Sequence, residues 1–285
     1  MTETIFTHSW LLFLPGRAVA GTALALVIAG LAWRAGSLRR SGSVAAVLCG
    51  ALCAIGGWGW ALLLVVYFTA ASTLSRAGAR EKQLRSERIV TKGGARDIAQ
   101  VLANGGIYSV AAALTAVIWS PCLAWGAVGA LAAASADTWA TEIGIWLGGT
   151  PRSIISGTYV RTGESGGVTV VGMLGSVAGA AWVGAAAVAL GFPRGLGLAS
   201  VIAGMGGAIT DSILGATIQD RRWCDACAEP TERAVHLCGC ATRRVGGIQW
   251  IDNDVVNLLS TLAGFALGVI VYGVSRTFLS WGAID

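Results

Sequence analysis

Asp137 and Asp211 stand inside apolar stretches, and each is followed by a hydroxyl residue, Thr138 and Ser212. A carboxylate in low dielectric is expensive unless it is paired, hydrated or bound to a cation. A chain that keeps two of them is expected to use them. Oxygen ligands of this kind suit Mg²⁺, which takes a few carboxylates together with water and substrate phosphates. Glu142 is the third candidate ligand, five residues after Asp137. Five residues turn about 140° around a helix, so Thr138 and Glu142 share a face and Asp137 lies off it. All three converge only where the helix is irregular. The bland alternative is a protonated Asp capping the free carbonyls of a neighbouring helix.

Three polar segments carry further candidates. Thr91-Lys92-Gly93-Gly94, followed by Arg96 and Asp97, leads into a span that also holds Gln100 and Asn104. A glycine-rich turn before a helix offers backbone N–H groups and a helix dipole to an anion. Lys92 and Arg96 would add charge-assisted bonds to phosphate. The alternative is a basic loop that only sets topology near anionic lipid. The second segment, with Glu164, Gly166, Gly167 and Thr169, is again polar and glycine-rich before a span. The third holds Asp252, Asn253, Asp254 and Asn257 before the last span. These could bind a cation or a hydroxyl, or equally form an N-cap.

Cysteines make the remaining cluster. Cys224 and Cys227 are separated by two residues, and Cys238 and Cys240 by one, with His236 beside the second pair. Four thiols in two close pairs fit a tetrahedral structural Zn²⁺ site, and His236 could replace one of them. Cys49, Cys53 and Cys122 lie in spans and read as small apolar fillers.

These residues must be positioned by membrane helices. The chain has 285 residues, of which 55% are hydrophobic and only 12% charged. A soluble domain would carry about a quarter charged residues. The expected fold is an all-α polytopic membrane domain spanning residues 1–285, with 220–253 a cytoplasmic Cys-rich loop within it. Spans are expected at 10–33, 43–74, 98–119, 122–147, 166–190, 198–219 and 254–279. The 43–74 stretch is too long for one ordinary span, and Gly56-Gly57-Trp58-Gly59 near its middle predicts a short helical hairpin rather than one long tilted helix. No cleavable signal peptide is expected, because Glu3 precedes the first apolar run and Arg34, Arg39 and Arg40 follow it.

Charge sets the orientation. Loops 34–42, 75–97, 148–165 and 220–253 hold 17 of the 20 Lys and Arg residues. With the hairpin, all four fall on one face, which the positive-inside rule makes cytoplasmic. That predicts eight crossings with both termini on the opposite side. The net charge of +5 is accordingly read as topology and not as a nucleic-acid surface. A weak internal repeat is also visible: Gly94 precedes Asp137 by 43 residues, and Gly167 precedes Asp211 by 44. Aligned on the acids, Gly129 matches Ala203, Ala133 matches Gly207, and Thr138 matches Ser212. Both units would run in the same direction, a parallel repeat. Each acid lies about ten residues from the end of its span, roughly 15 Å deep in a straight helix. A neighbouring cleft or a helix break would make it accessible.

Taken in order, the motifs resemble a known family. Lys92-Gly93-Gly94 with Arg96-Asp97 and Asn104, Asp137-Thr138 with Glu142, Gly166-Gly167-Val168-Thr169, Asp211-Ser212 with Gln219, and Asp252-Asn253-Asp254 with Asn257 are together similar to the integral membrane family containing plant phytyl-phosphate kinase and animal transmembrane protein 19. The resemblance covers roughly residues 43–280. It implies a nucleotide-dependent kinase that converts a polyprenyl monophosphate to the diphosphate. It also implies distant kinship with polyprenol kinases, with CTP or ATP as donor. On that reading Asp137, Glu142 and Asp211 hold Mg²⁺, and Lys92, Arg96 and the two Gly-Gly turns hold phosphates. The partners would be nucleotide and membrane lipid, and an oligomer is compatible. The rival class is an ion-coupled transporter of a small or lipid substrate, which also uses intramembrane acids and repeats; a lipid-binding scaffold is the third.

Overall fold

The computed structural model describes residues 3–87, 89, 94–118 and 120–281, with side chains described from 15 to 277. The long helices are α1 (Glu3–Arg34), α2 (Arg40–Gly56) and α3 (Trp58–Arg76), then, after a short α4 (Ala79–Ser86), α5 (Ile98–Leu114) and α6 (Pro121–Leu147). They continue with α7 (Val170–Ala189), α8 (Gly195–Thr217) and α9 (Asn253–Trp281). Five of them are long and apolar enough to cross a membrane: Pro15–Arg34, Trp58–Arg76, Val170–Ala189, Gly195–Thr217 and Asn253–Thr277. Arg40–Gly56 and Ile98–Leu114 are apolar but shorter. The protein is therefore helical and membrane-type.

The 43–74 stretch is two helices. Gly57 breaks them with φ 138° and ψ 160°, a backbone state that only glycine adopts without strain. The two arms return to the same end of the bundle. Arg76 at the end of α3 donates to Ala35 O at 2.8 Å, next to the start of α2.

Helix starts follow their capping residues. Asp97 and Gln100 form a capping box on α5. Thr169 Oγ1 accepts from Gly172 N at 2.9 Å on α7. Asp252 Oδ1 accepts from Asp254 N at 3.0 Å and Val255 N at 3.1 Å on α9. These bonds satisfy the donors that a helix start otherwise leaves open.

The central helix α6 packs against α5, α7, α8 and α9. Its small residues from Ala127 to Ala136 are buried, which lets backbones approach closely. Against α8 the approach is ordered. Gly129 lies on Ala203, and Gly207 lies on Ala133. The pairs that match when the two acids are aligned are the pairs that touch. The two helices therefore run in the same direction, and one turn further along the same seam are Asp137 and Asp211. A Cβ at Gly207 would fall on Ala133 Cβ with Ser260 O behind it. Gly207→Val should destabilise the protein by about 1–3 kcal/mol, read as a lowered midpoint in thermal unfolding.

The four basic loops meet on one face. Arg39 N donates to Arg96 O, Glu232 N to Ile89 O, and Ser165 Oγ to Glu232 Oε1. That face also carries two small antiparallel sheets. One pairs β1 (Arg152–Ser153) with β2 (Gly167–Val168). The other orders β4 (Glu229–Thr231), β3 (Arg221–Cys224) and β5 (Arg243–Gly246) as β4-β3-β5.

Candidate functional site

Asp137 and Asp211 come together. Their carboxyls lie within each other's reach, close enough to share a proton or a cation. Two carboxylates at such a distance cannot both stay charged in low dielectric without something positive between them. Asp211 Oδ1 is buried and has no hydrogen-bond partner among the described residues. Each acid nevertheless keeps part of its surface accessible. An orphaned carboxylate oxygen beside a second carboxylate is a donor set that fits a hard divalent cation.

Other groups close around the pair. Thr138 Oγ1 donates to Ala134 O at 2.8 Å, and the Tyr67 hydroxyl from α3 reaches the Thr138 side chain. Tyr67 also lies in the field of Arg96. The Arg96 guanidinium donates to Ser72 Oγ at 3.1 Å and Ser75 Oγ at 3.2 Å, and lies 5.7 Å from the centre of the Phe68 ring. Its backbone is fixed by Ser37 and Arg39 on either side. The Arg is therefore held near Tyr67 by α3 and the α1–α2 turn.

Glu142 does not join the acids. Its Oε1 accepts from Ser75 and its Oε2 pairs with Lys82. Helix α6 is continuous from Pro121 to Leu147. The offset of about 140° between Asp137 and Glu142 therefore persists, and the convergence that needed an irregular helix does not occur. Lys82 is buried on α4 and also donates to Leu74 O at 2.7 Å and Ser75 O at 3.0 Å, the last carbonyls of α3. The pair thus seals a helix end. Lys82→Met leaves Glu142 without its cation and should cost about 3–5 kcal/mol of stability, most of it restored when Glu142 is also replaced by Gln. Denaturant unfolding of the two variants checks this.

The glycine segments divide. Lys92 and Gly93 lie outside the described residues, as does Thr91. Gly94 turns at φ 82° and Gly166 at φ 77°. The Gly166 turn packs against Ala216 at the end of α8. Asp97, Thr169 and Asp252 act as helix caps, as above. Asn104 Nδ2 donates to Gln100 O at 3.1 Å within α5. Ser212 is half-buried beside Asp211. Asn253 opens α9, and Asp254 and Asn257 are buried a turn apart on it. Thr261, a turn beyond Asn257, donates to Ala103 O at 2.9 Å. That contact sets Asn257 near the level of Gln100 and the acids.

The Cys-rich segment forms a second centre. Cys224, Cys227, His236 and Cys238 bring one ligand atom each to within 4.8 Å of one another. Cys224 Sγ and Cys238 Sγ are 3.7 Å apart. The edge of a tetrahedron with Zn–S bonds of about 2.3 Å is about 3.8 Å. Cys240 lies outside the group, so of the two expected sets the structure brings together the one in which His236 replaces a thiol, Cys₃His. The single residue between Cys238 and Cys240 turns the second thiol away, and the β-bridge Val235↔Ala241 brings His236 in.

His236 Nδ1 sits 3.3 Å from Cys238 Sγ, and its Nε2 sits 3.1 Å from Glu229 Oε1. Glu229 also pairs with Arg161 at 2.8 Å. A carboxylate on the far ring nitrogen is how metal-binding histidines are oriented. The hydrogen bond from His236 pulls the Cys238 thiol down to about 6, and Cys238 in turn pushes Cys227 up to about 12. The thiols cannot all ionise together without a cation among them.

Sequence reasoning missed Tyr67, Ser72, Ser75, Lys82, Glu229 and Glu232. The signal for the α3 set was a polar stripe in an apolar helix, Ser72 and Ser75 five and eight residues after Tyr67. Glu232 accepts from Ser165 Oγ and Gln219 Nε2, both at 2.8 Å, and its charge acts on Asp211. The Cys-rich segment is thus tied to Gln219, just past the end of α8, the helix that carries Asp211.

A bundle of apolar helices, with an acid pair on its central seam and polar motifs gathered on one face, defines an integral membrane protein with a polar-face site. The chain belongs to the integral membrane protein family DUF92, which it matches over residues 23–265. It is 30% identical over 273 residues to Protein PGR of Arabidopsis thaliana, covering 86% of this chain and 93% of that one. It is 26% identical to an uncharacterised membrane protein of Methanocaldococcus jannaschii, covering 76% of this chain and 77% of that one. A membrane protein of Synechocystis, also uncharacterised, is 26% identical over 75% of this chain and 74% of its own length. No solved structure matches.

Proposed function

We propose that this protein is a membrane-embedded phosphotransferase that moves a phosphoryl group from a nucleotide, CTP in the first instance, to a polyprenyl monophosphate. The observation that carries this reading is the meeting of the Asp137 and Asp211 carboxyls, with an orphaned oxygen, on two helices related by the internal repeat. The resemblance of the ordered motifs to the phytyl-phosphate kinase family supports it.

In this reading Asp137 and Asp211 hold Mg²⁺, which would neutralise phosphate charge in the transition state. Arg96, with Lys92 and the Gly93-Gly94 and Gly166-Gly167 turns, holds phosphate oxygens. Tyr67 and Thr138 orient the Asp137 side of the site. The acceptor phosphate oxygen forms a bond to the terminal phosphorus of the nucleotide, and the bridging oxygen leaves with the nucleoside diphosphate. The acceptor is already largely ionised, so the chain supplies position and charge and not a strong base. The prenyl tail stays in the lipid. The basic loops are placed in the cytoplasm by the charge bias, with eight crossings and both termini on the far side.

The test is purified protein incubated with labelled CTP or ATP, Mg²⁺ and a panel of prenyl alcohols and monophosphates. The expected product is a labelled prenyl diphosphate. No product from any combination overturns the reading in favour of ion-coupled transport or a scaffold.

A further inference from the structure

An open pocket of about 610 Å³ lies on the polar face between the loop before β2 and the β4-β3-β5 sheet. Its wall includes Tyr159, Arg161, Ser165, Arg221, Trp223 and Glu232. The volume is that of a small-molecule site. The arginines are not equivalent. Arg222, also in the wall, is held by Asp220 and Thr242. Arg161 keeps more than half of its side chain exposed while it pairs with Glu229. Arg221 has a buried Nε with no hydrogen-bond partner among the described residues. A guanidinium with an unsatisfied N–H is unfavourable, and an anion seated in the pocket that this residue lines would offset its charge. Trp223 adds an aromatic face of the kind on which a base stacks, and Tyr159, with the Arg152 guanidinium 4.2 Å from the centre of its ring, leaves its other face for the same contact.

Glu232 joins this pocket to the acid pair. It lines the pocket, accepts from Ser165 and Gln219, and acts on Asp211 through space. A ligand seated along the pocket would have one end at Trp223 and Tyr159 and the other at Glu232, which is bonded to Gln219 just past the end of the Asp211 helix.

We infer that this pocket receives the nucleoside triphosphate donor, with its base against Trp223 and Tyr159 and its phosphates on Arg221 and Arg161. The inference rests on the phosphotransferase reading; it places the donor on the Cys-rich segment and leaves the glycine turns and Arg96 to the acceptor phosphate. Glu232 is then a positioning residue at the boundary between donor and acid pair.

The test is equilibrium dialysis of labelled CTP, labelled ATP and inorganic tripolyphosphate against the purified full chain with Zn²⁺ and Mg²⁺. Arg221→Ala removes the unpartnered donor, and Val245→Trp fills the pocket from β5 without replacing a charged residue. Both should raise the nucleotide Kd by about tenfold or more. Arg221→Ala should weaken tripolyphosphate as well, whereas Trp223→Leu should weaken only the nucleotides. Zinc content and the thermal midpoint are measured on each variant, so a folding defect is recognised; where Arg221→Ala has one, Val245→Trp decides. Nucleotide affinity unchanged in both variants, or no nucleotide bound by the wild type, overturns the inference. Wild-type transfer activity with the parental KM retained in both variants overturns the pocket and leaves the acid-pair reading standing. Pocket-sensitive nucleotide binding with no transfer does the reverse.

Discussion

Asp137→Asn and Asp211→Asn should each lower phosphoryl transfer by about a thousandfold or more, with thermal stability unchanged or raised. The substitution keeps size and polarity and removes only the negative charge. Each acid sits against the other, so the loss of either charge relieves repulsion in the seam while it removes a ligand. Steady-state turnover of the purified variants, beside their thermal midpoints, checks both halves. Ser212→Ala, on the same helix next to Asp211, should have a far smaller effect. A large loss of stability in the Asn variants would mean that the pair is structural.

Chelation of the Cys₃His centre should have the second largest effect. Structural zinc supplies folding free energy directly, and a segment of three short strands has little core of its own. The full chain should bind one Zn²⁺ per molecule. Cys224→Ser or His236→Ala should abolish that stoichiometry and expose segment 220–253 to proteolysis. Cys240→Ser should leave it intact, because Cys240 lies outside the cluster. Glu229→Gln should weaken zinc about 10- to 100-fold through the His236 ring. Elemental analysis after dialysis reads all of these. On the proposed function, transfer activity should fall with the zinc, because Glu232 on the same segment bonds Gln219 just past the end of the Asp211 helix.

Much of this was legible in the sequence, for identifiable reasons. The acids were visible because a charge in an apolar run is costly. Their meeting was foreshadowed by the alignment that matched Ala133 with Gly207, residues now in contact. The hairpin was legible because Gly57 permits a backbone state that no other residue tolerates. Asp97, Thr169 and Asp252 showed their positions but not their use, since a cap and a ligand need the same residue types. Glu142 is turned away from the acids because α6 is continuous and keeps the helical offset of about 140°, which leaves its carboxylate to Ser75 and Lys82. Lys82, Glu229 and Glu232 were illegible. Each acts across 60 or more residues of sequence, on Glu142, Arg161 and Ser165 respectively. No local pattern reports a contact of that range. His236 replaced Cys240 for a geometric reason, the tight Cys-x-Cys spacing, which sequence names as a tension without resolving it.

The central claim is that Asp137 and Asp211 together hold a divalent cation. Electron paramagnetic resonance of Mn²⁺ titrated into the purified, zinc-loaded protein measures this directly. The account predicts that the free Mn²⁺ signal is lost on binding to the wild type and persists in the Asp137→Asn/Asp211→Asn double variant. Equal Mn²⁺ binding by both proteins would contradict it.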